Sequence, residues 1–190
     1  MVSTIWSCRM VTRSNSCVAI LDTCVLAPMP LCDTLLRLAE EPVFYVPKWS
    51  GDILRELRST LRRMGYTLPQ AERRIVAMEL AFEDANVADY QNLVSAMTND
   101  PKDRHVLAAA VQCRAHSIVT HNWKHFPQKS VSPYGLDVLT PDEFLTQHFR
   151  ADAELLMDKL TAQATARGVG FDTLLARLQP HAPTCVRLLR

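Results

Sequence analysis

Asn99-Asp100-Pro101-Lys102-Asp103-Arg104-His105-Val106-Leu107-Ala108-Ala109-Ala110 reads as the opening of a helix. Asp100 suits the cap and Pro101 the first helical position. Asp103 puts an acid in the first turn, where the helix dipole favours it. Together the two acids also resemble a capping box. The alanine-rich run behind them has high helix propensity and lets another backbone come close. Working outward, two apolar runs end in polar residues: Val18-Ala19-Ile20-Leu21 at Asp22, and Ser117-Ile118-Val119-Thr120 just before Asn122. Both read as buried strands. In open parallel sheets, ligands bind outside the carboxyl ends of the strands. A carboxylate after one strand, an amide after another and an acid in a helix's first turn are expected to meet in one crevice and hold a divalent metal.

The remaining punctuation fits that frame. A loop is expected over Thr23–Pro30, a helix over 31–40 with Leu31, Leu35 and Leu38 on one face, and a strand over 43–46 closed by Pro47. Ser50 caps a helix running to about Met64, with Ile53, Leu54, Leu57 and Leu61 as its apolar stripe. Arg55, Arg58 and Arg62 fall on another face at three- and four-residue spacing. Further helices are expected over 68–82, 89–97 and 101–115. Strand 117–120, a polar and aromatic turn over 121–127, strand 136–139 and a helix from Pro141 to about Phe149 follow. Strands alternating with helices argue α/β with a mostly parallel sheet. Residues 152–190 read as two helices separated by Gly168 and Gly170, the second broken by Pro180 and Pro183. The expected organisation is a disordered arm over 1–15 (with Met10 as an alternative start), an α/β domain over 16–150 and a helical extension over 151–190.

With 190 residues, 48% hydrophobic and 22% charged, the chain has enough apolar residues for a real core. A net charge of +1 neither suggests nor excludes nucleic acid, so local charge must decide. Six cysteines include no C-x-x-C pair, which argues against a zinc site and fits reduced thiols in a cytoplasm. No apolar run is long enough to span a membrane, and residues 1–15 lack the sustained apolar core of a secretory signal.

The candidate chemistry rests on Asp22, Glu56 and Asp103, which come from three separated segments. Each also has a plain structural reading: a turn residue, a surface acid paired with Arg55 or Arg63, and a helix-start acid. Carboxylate oxygens of this kind suit Mg²⁺ or Mn²⁺ rather than zinc. Asn122 offers an amide oxygen for a metal-bound water or a hard cation. His121 and His125 stand four residues apart, but no helix crosses that turn to align them. Cys24 lacks an obvious base and reads as a buried thiol. Carboxylates with arginines nearby fit metal-assisted hydrolysis of a phosphodiester. Arg55, Arg58, Arg62, Arg63, Lys102, Arg104 and Lys124 are the candidates to bind backbone phosphates, and a solvated surface is the plainer reading of each.

The segments VAILDTCVL, WSGDILRELRSTL, DPKDRHVLAAAV and SIVTHNWKHFP, in this order, resemble PIN-domain ribonucleases of the VapC-like kind found as toxins of toxin–antitoxin pairs. The likeness covers roughly residues 16–150, with YGLDVLTPDEFL as further support. It implies a three-layer α/β/α sandwich and metal-dependent RNA cleavage. Asp22, Glu56 and Asp103 would form the acidic site, Asn122 would fill its fourth position, and Thr120 would be a nearby polar residue on the substrate side. An antitoxin protein and a second copy of the chain are the implied partners, with the C-terminal helices or the apolar face of residues 31–40 as the expected contact. Two positions depart from the pattern. Many relatives carry Asn where this chain has Cys24, and Asp where it has His125. A non-catalytic RNA- or protein-binding module on the same fold is the alternative. A phosphatase using Asp22 as nucleophile ranks lower, because Cys24 occupies the position of that chemistry's second Asp.

Overall fold

The structure, a computed structural model, describes residues 17–190, so the expected arm over 1–15 lies outside the described residues. Strands β1 (Val18–Leu21), β2 (Val46–Ser50), β3 (Asn86–Val87), β4 (Ser117–Val119) and β5 (Asp137–Leu139) form one sheet in the order β3-β2-β1-β4-β5. Every pairing is parallel. The chain builds one half of the sheet from β1 to β3, then crosses back to lay β4 on the other side of β1. The strand order therefore reverses between β1 and β4. That switch point is where the carboxyl ends of two adjacent strands leave a crevice. Ala19, Ile20, Leu21, Ile118 and Val119 are fully buried, as strands covered on both faces should be.

The helices are α1 (Thr23–Leu26), α2 (Met29–Leu38), α3 (Gly51–Arg63), α4 (Leu68–Ala81), α5 (Gln91–Val94), α6 (Arg104–Gln112), α7 (Gln128–Val131), α8 (Pro141–Ala151), α9 (Ala153–Ala166), α10 (Phe171–Leu178) and α11 (Pro183–Leu188). They flank the sheet, which makes the fold an α/β sandwich. Helix α6 lies against β1, β2 and β4. Its Ala108, Ala109 and Ala110 are fully buried, so small side chains let the helix sit close to the strands. The Ser50 hydroxyl caps α3 by accepting from the Ile53 amide at 3.3 Å. Thr67 and Thr140 open α4 and α8 with full capping boxes.

Several local expectations are corrected. Residues 23–26, expected as loop, form the one-turn α1. The second strand runs over Val46–Ser50 and passes through Pro47 instead of ending there. The Val46 amide points at β1, bonding the Cys17 carbonyl at 2.8 Å. Pro47 therefore turns its missing donor toward the β3 side, where β3 pairs only with Trp49 and Ser50. The two-residue β3 was too short to leave a period, and the helix expected over 89–97 shrinks to α5 after Asp89 takes a φ of 60°. The extension holds three helices, not two.

Helix α2 does not present a free apolar face. Leu31, Leu35 and Leu38 are fully buried, with α9 and α10 packed over the helix. The Thr34 hydroxyl donates to the Gln163 side-chain oxygen at 2.7 Å, the Gln163 amide donates to the Pro30 carbonyl at 3.0 Å, and Arg167 pairs with Asp33 at 2.7 Å. The chain's own extension covers the surface expected to receive a partner. No helix among the described residues is long and apolar enough to cross a membrane.

Candidate active site

Asp22 stands where β1 ends. Its amide donates to the Val119 carbonyl at 3.1 Å, which ties the ends of β1 and β4 together. Its carbonyl accepts from Val25 and Leu26 and so starts α1. The side chain is 3% exposed, with Oδ2 accepting from the Thr120 hydroxyl at 2.6 Å and the Cys24 thiol at 3.2 Å. Burial pushes this carboxyl above the ordinary carboxylate range. The charge of Asp103 pushes the same way, against the pull of the Thr120 and Cys24 hydrogen bonds.

Thr120 is fully buried, so the expectation that it offers a surface to substrate does not match its place. It positions Asp22 and accepts the Asn122 amide at 2.9 Å. Cys24 does related work. Burial and the Asp22 charge push its thiol up to about 12, so it stays protonated and donates. Its sulfur also accepts from the His121 amide at 3.2 Å. This thiol thus bridges the loops after β1 and β4.

Glu56 projects from α3 with a half-exposed side chain. One oxygen accepts from the Thr23 hydroxyl at 3.1 Å and the other meets His105 Nε2 at 3.0 Å. The His105 bond holds Glu56 below its usual range. The expected pairing with Arg55 or Arg63 is not formed. Burial pushes His105 down, but the Glu56 bond and the charges of Glu56, Asp52 and Asp22 outweigh it, and the net shift is upward. His105 Nδ1 is buried without a partner among the described residues. Sequence reasoning missed His105. The available signal was an imidazole in the first turn of a helix whose next five residues are all buried.

The organising stretch divides into a one-turn 3₁₀ segment, Pro101–Asp103, followed by α6. Asp100 caps the short turn through the Lys102 amide at 3.0 Å, and no capping box forms. Asp103 is free to face elsewhere: its Oδ2 lies 2.5 Å from His125 Nδ1. Asn122 is exposed, and its carbonyl accepts the His125 amide at 2.9 Å.

The expected basic stripe is partly neutralised. Arg55 pairs with Asp52, and Arg58 makes a two-pronged bond to Glu72 of α4 at 2.5 and 3.2 Å. Arg62 is exposed. Nearer the acids, Arg104 Nε donates to the Asn99 carbonyl at 3.4 Å, and Lys124 sits 5.5 Å over the ring of Trp123, a residue 52% exposed.

Among the described residues, the acids and histidines whose ligand atoms gather within 4.8 Å of one another are Asp100, Asp103 and His125, so of the expected trio only Asp103 stands in such a group. Asp22, Glu56 and Asp103 supply carboxylate oxygens from three elements, and Asp22 carries an electrostatic penalty that positive charge would relieve.

In comparison with known proteins, a 56-residue stretch is 57% identical to "Putative ribonuclease VapC50" of Mycobacterium tuberculosis (strain ATCC 25618 / H37Rv), covering 30% of this chain and 33% of that one. The chain thus aligns with about a third of that relative's length. No solved structure matches. Residues 18–124 match the PIN domain family. That match takes in Asp22, Glu56, Asp103 and Asn122 and spans more than half of the 190 residues, so the chain belongs to the PIN-domain family.

Proposed function

We propose that the chain is a Mg²⁺- or Mn²⁺-dependent endoribonuclease that hydrolyses RNA phosphodiester bonds, and that it is the toxin of a toxin–antitoxin pair acting in the cytoplasm. The observation that carries this reading is Asp22: a carboxylate 3% exposed, at the switch point of the sheet, close enough to Asp103 for the two charges to oppose each other. A binding module would gain nothing from crowding acids that repel RNA. Residues 16–150 would form the nuclease domain and 151–190 a helical extension.

In this reading Asp22, Glu56 and Asp103 hold the cation, with Asn122 beside them. The bound ion supplies a polarised water and offsets the charge that grows on the phosphate oxygens. Thr120 and Cys24 keep Asp22 oriented, and Thr23 and His105 do the same for Glu56. Arg104 and Lys124 would hold phosphates, with the exposed Trp123 ring as a stacking surface for a base. Arg62, and less so the paired Arg55 and Arg58, extend the basic surface along α3. An antitoxin or a second copy would have to use surface other than the covered α2. Leu68, Val76 and Leu80 of α4 are exposed apolar residues that it could take up.

Highly purified protein incubated with an RNA panel tests the reading. Cleavage should require Mg²⁺ or Mn²⁺, stop in EDTA, and fall by orders of magnitude in Asp22→Asn and Asp103→Asn. Full cleavage in EDTA would overturn it.

A further inference from the structure

We propose that His125 is itself a metal ligand, giving the centre a nitrogen donor and a preference for Mn²⁺ over Mg²⁺. The inference rests on the metal-dependent reading above and adds to it a nitrogen donor beside Asp103.

One ligand atom each from Asp100, Asp103 and His125 lies within 4.8 Å of the others. The backbone fixes this trio. The Asp100 amide donates to the His125 carbonyl at 3.1 Å, the Asp103 amide to the Asp100 carbonyl at 2.9 Å, and the His125 amide to the Asn122 carbonyl at 2.9 Å. Two loops distant in sequence are thus zipped together, and the buried Phe126 anchors the second beside its histidine. The donors are held before any ion arrives.

Capping alone does not account for the arrangement. Asp100 spends one oxygen on the Lys102 amide, and Asp103 caps nothing with its side chain. The Asp103–His125 contact of 2.5 Å is closer than the roughly 3 Å between neighbouring ligands of a six-coordinate ion, so a small opening of the pair admits one. Asp103 would then be shared, its charge acting on Asp22 and its Oδ2 lying beside His125. Mg²⁺ keeps a shell of oxygens and takes nitrogen poorly, whereas first-row ions gain from an imidazole. A nitrogen in place of an acid therefore moves selectivity toward Mn²⁺ without adding negative charge to a crowded site.

The test uses the full-length chain with Mn²⁺ or Mg²⁺ alone. Pulsed electron paramagnetic resonance of the Mn²⁺ complex should show nitrogen coupling, and this coupling should change in character when histidine is labelled with ¹⁵N. His125→Asp should remove it and lower the Mn²⁺/Mg²⁺ affinity ratio by about 10-fold or more, as calorimetry would read. Absence of nitrogen coupling in the wild-type complex overturns the proposal whether or not the variant folds. So does coupling that persists in a folded His125→Asp or His125→Gln, or an unchanged affinity ratio. Mn²⁺-dependent cleavage without nitrogen coupling would sink this inference and leave the nuclease reading standing. Nitrogen coupling lost on His125→Asp in a protein that cleaves no RNA would do the opposite. Failure to bind either ion would overturn both.

Discussion

Thr120 shows how much of this site depends on residues that never meet substrate. Its hydroxyl donates to Asp22 across 2.6 Å in a fully buried setting, and Val matches its shape without the donor. Thr120→Val should cost about 1–3 kcal/mol of stability, because a buried carboxylate loses its strongest hydrogen bond. Cleavage should fall by about 10- to 100-fold through a mispositioned Asp22. Thr120→Ser should restore most of both. Urea melts and Mn²⁺-dependent cleavage rates on the pair check this, and wild-type activity in Thr120→Val would remove the positioning role. At this scale the sequence was legible where chemistry follows local pattern. Asp22 and Asn122 stand just past apolar strands, and Asp103 stands at a helix start. Glu56, His105 and His125 are different. Their partners lie 22 to 49 residues away, and no periodicity encodes such a pairing. The Cys24 thiol likewise reads as inert by itself and becomes a loop bridge only once β4 lies beside β1.

The pairing of α3 with α4 decides which arginines are available to RNA. Arg58 grips Glu72 with two bonds, while Arg62, one turn on, stays exposed. The pair is about 40% exposed on both sides, so its stabilising effect is small, roughly 1 kcal/mol or less. Its larger consequence is to neutralise a cation that the helical spacing alone would count as free. Arg62→Ala should therefore weaken single-stranded RNA binding and flatten its salt dependence by about 0.7 in slope, the share of one phosphate contact. Arg58→Ala should change the slope less and loosen α4 instead. Filter binding across a salt series separates the two, and a larger slope change for Arg58→Ala would reverse the assignment. Elements with side-chain caps and long stripes, α3, α4 and α8, were readable from the chain, and α6 was readable from its alanine-rich run. Elements made by pairing were not. A two-residue strand such as β3 has no period, and β2 accommodates Pro47 only because its neighbour is too short to need that donor.

One histidine at the seam between the α/β core and the extension makes the stability of the whole molecule sensitive to acid. His148 of α8 packs edge-on against Phe144 at 4.5 Å and beside Phe44 and Tyr45, with Nε2 enclosed and without a hydrogen-bond partner among the described residues. Burial pushes it from the usual 6.5 down to about 4, so the folded chain keeps it neutral. An unfolded chain takes up the proton first. The stabilisation is complete above about pH 6.5 and is lost as pH falls toward 4, at most about 3 kcal/mol by linkage. Glu56, held below its usual range, adds to the loss at lower pH. Asp22, raised by burial, opposes it, since its folded form binds the proton more readily and favours the fold as pH drops. His121 and His181, lowered by burial, act in the same sense as His148, and His105, raised by Glu56, acts against it; all of them are shared with a variant changed at position 148 alone. His148→Leu, close in volume and unable to charge, should therefore flatten the acid limb. Between pH 7 and 4.5 in EDTA, wild type should lose about 2 kcal/mol more than the variant. Urea denaturation at the two pH values reads this directly, with EDTA removing any metal contribution at Asp22. Equal losses in the two proteins would place the acid sensitivity in the carboxylates and the other histidines instead.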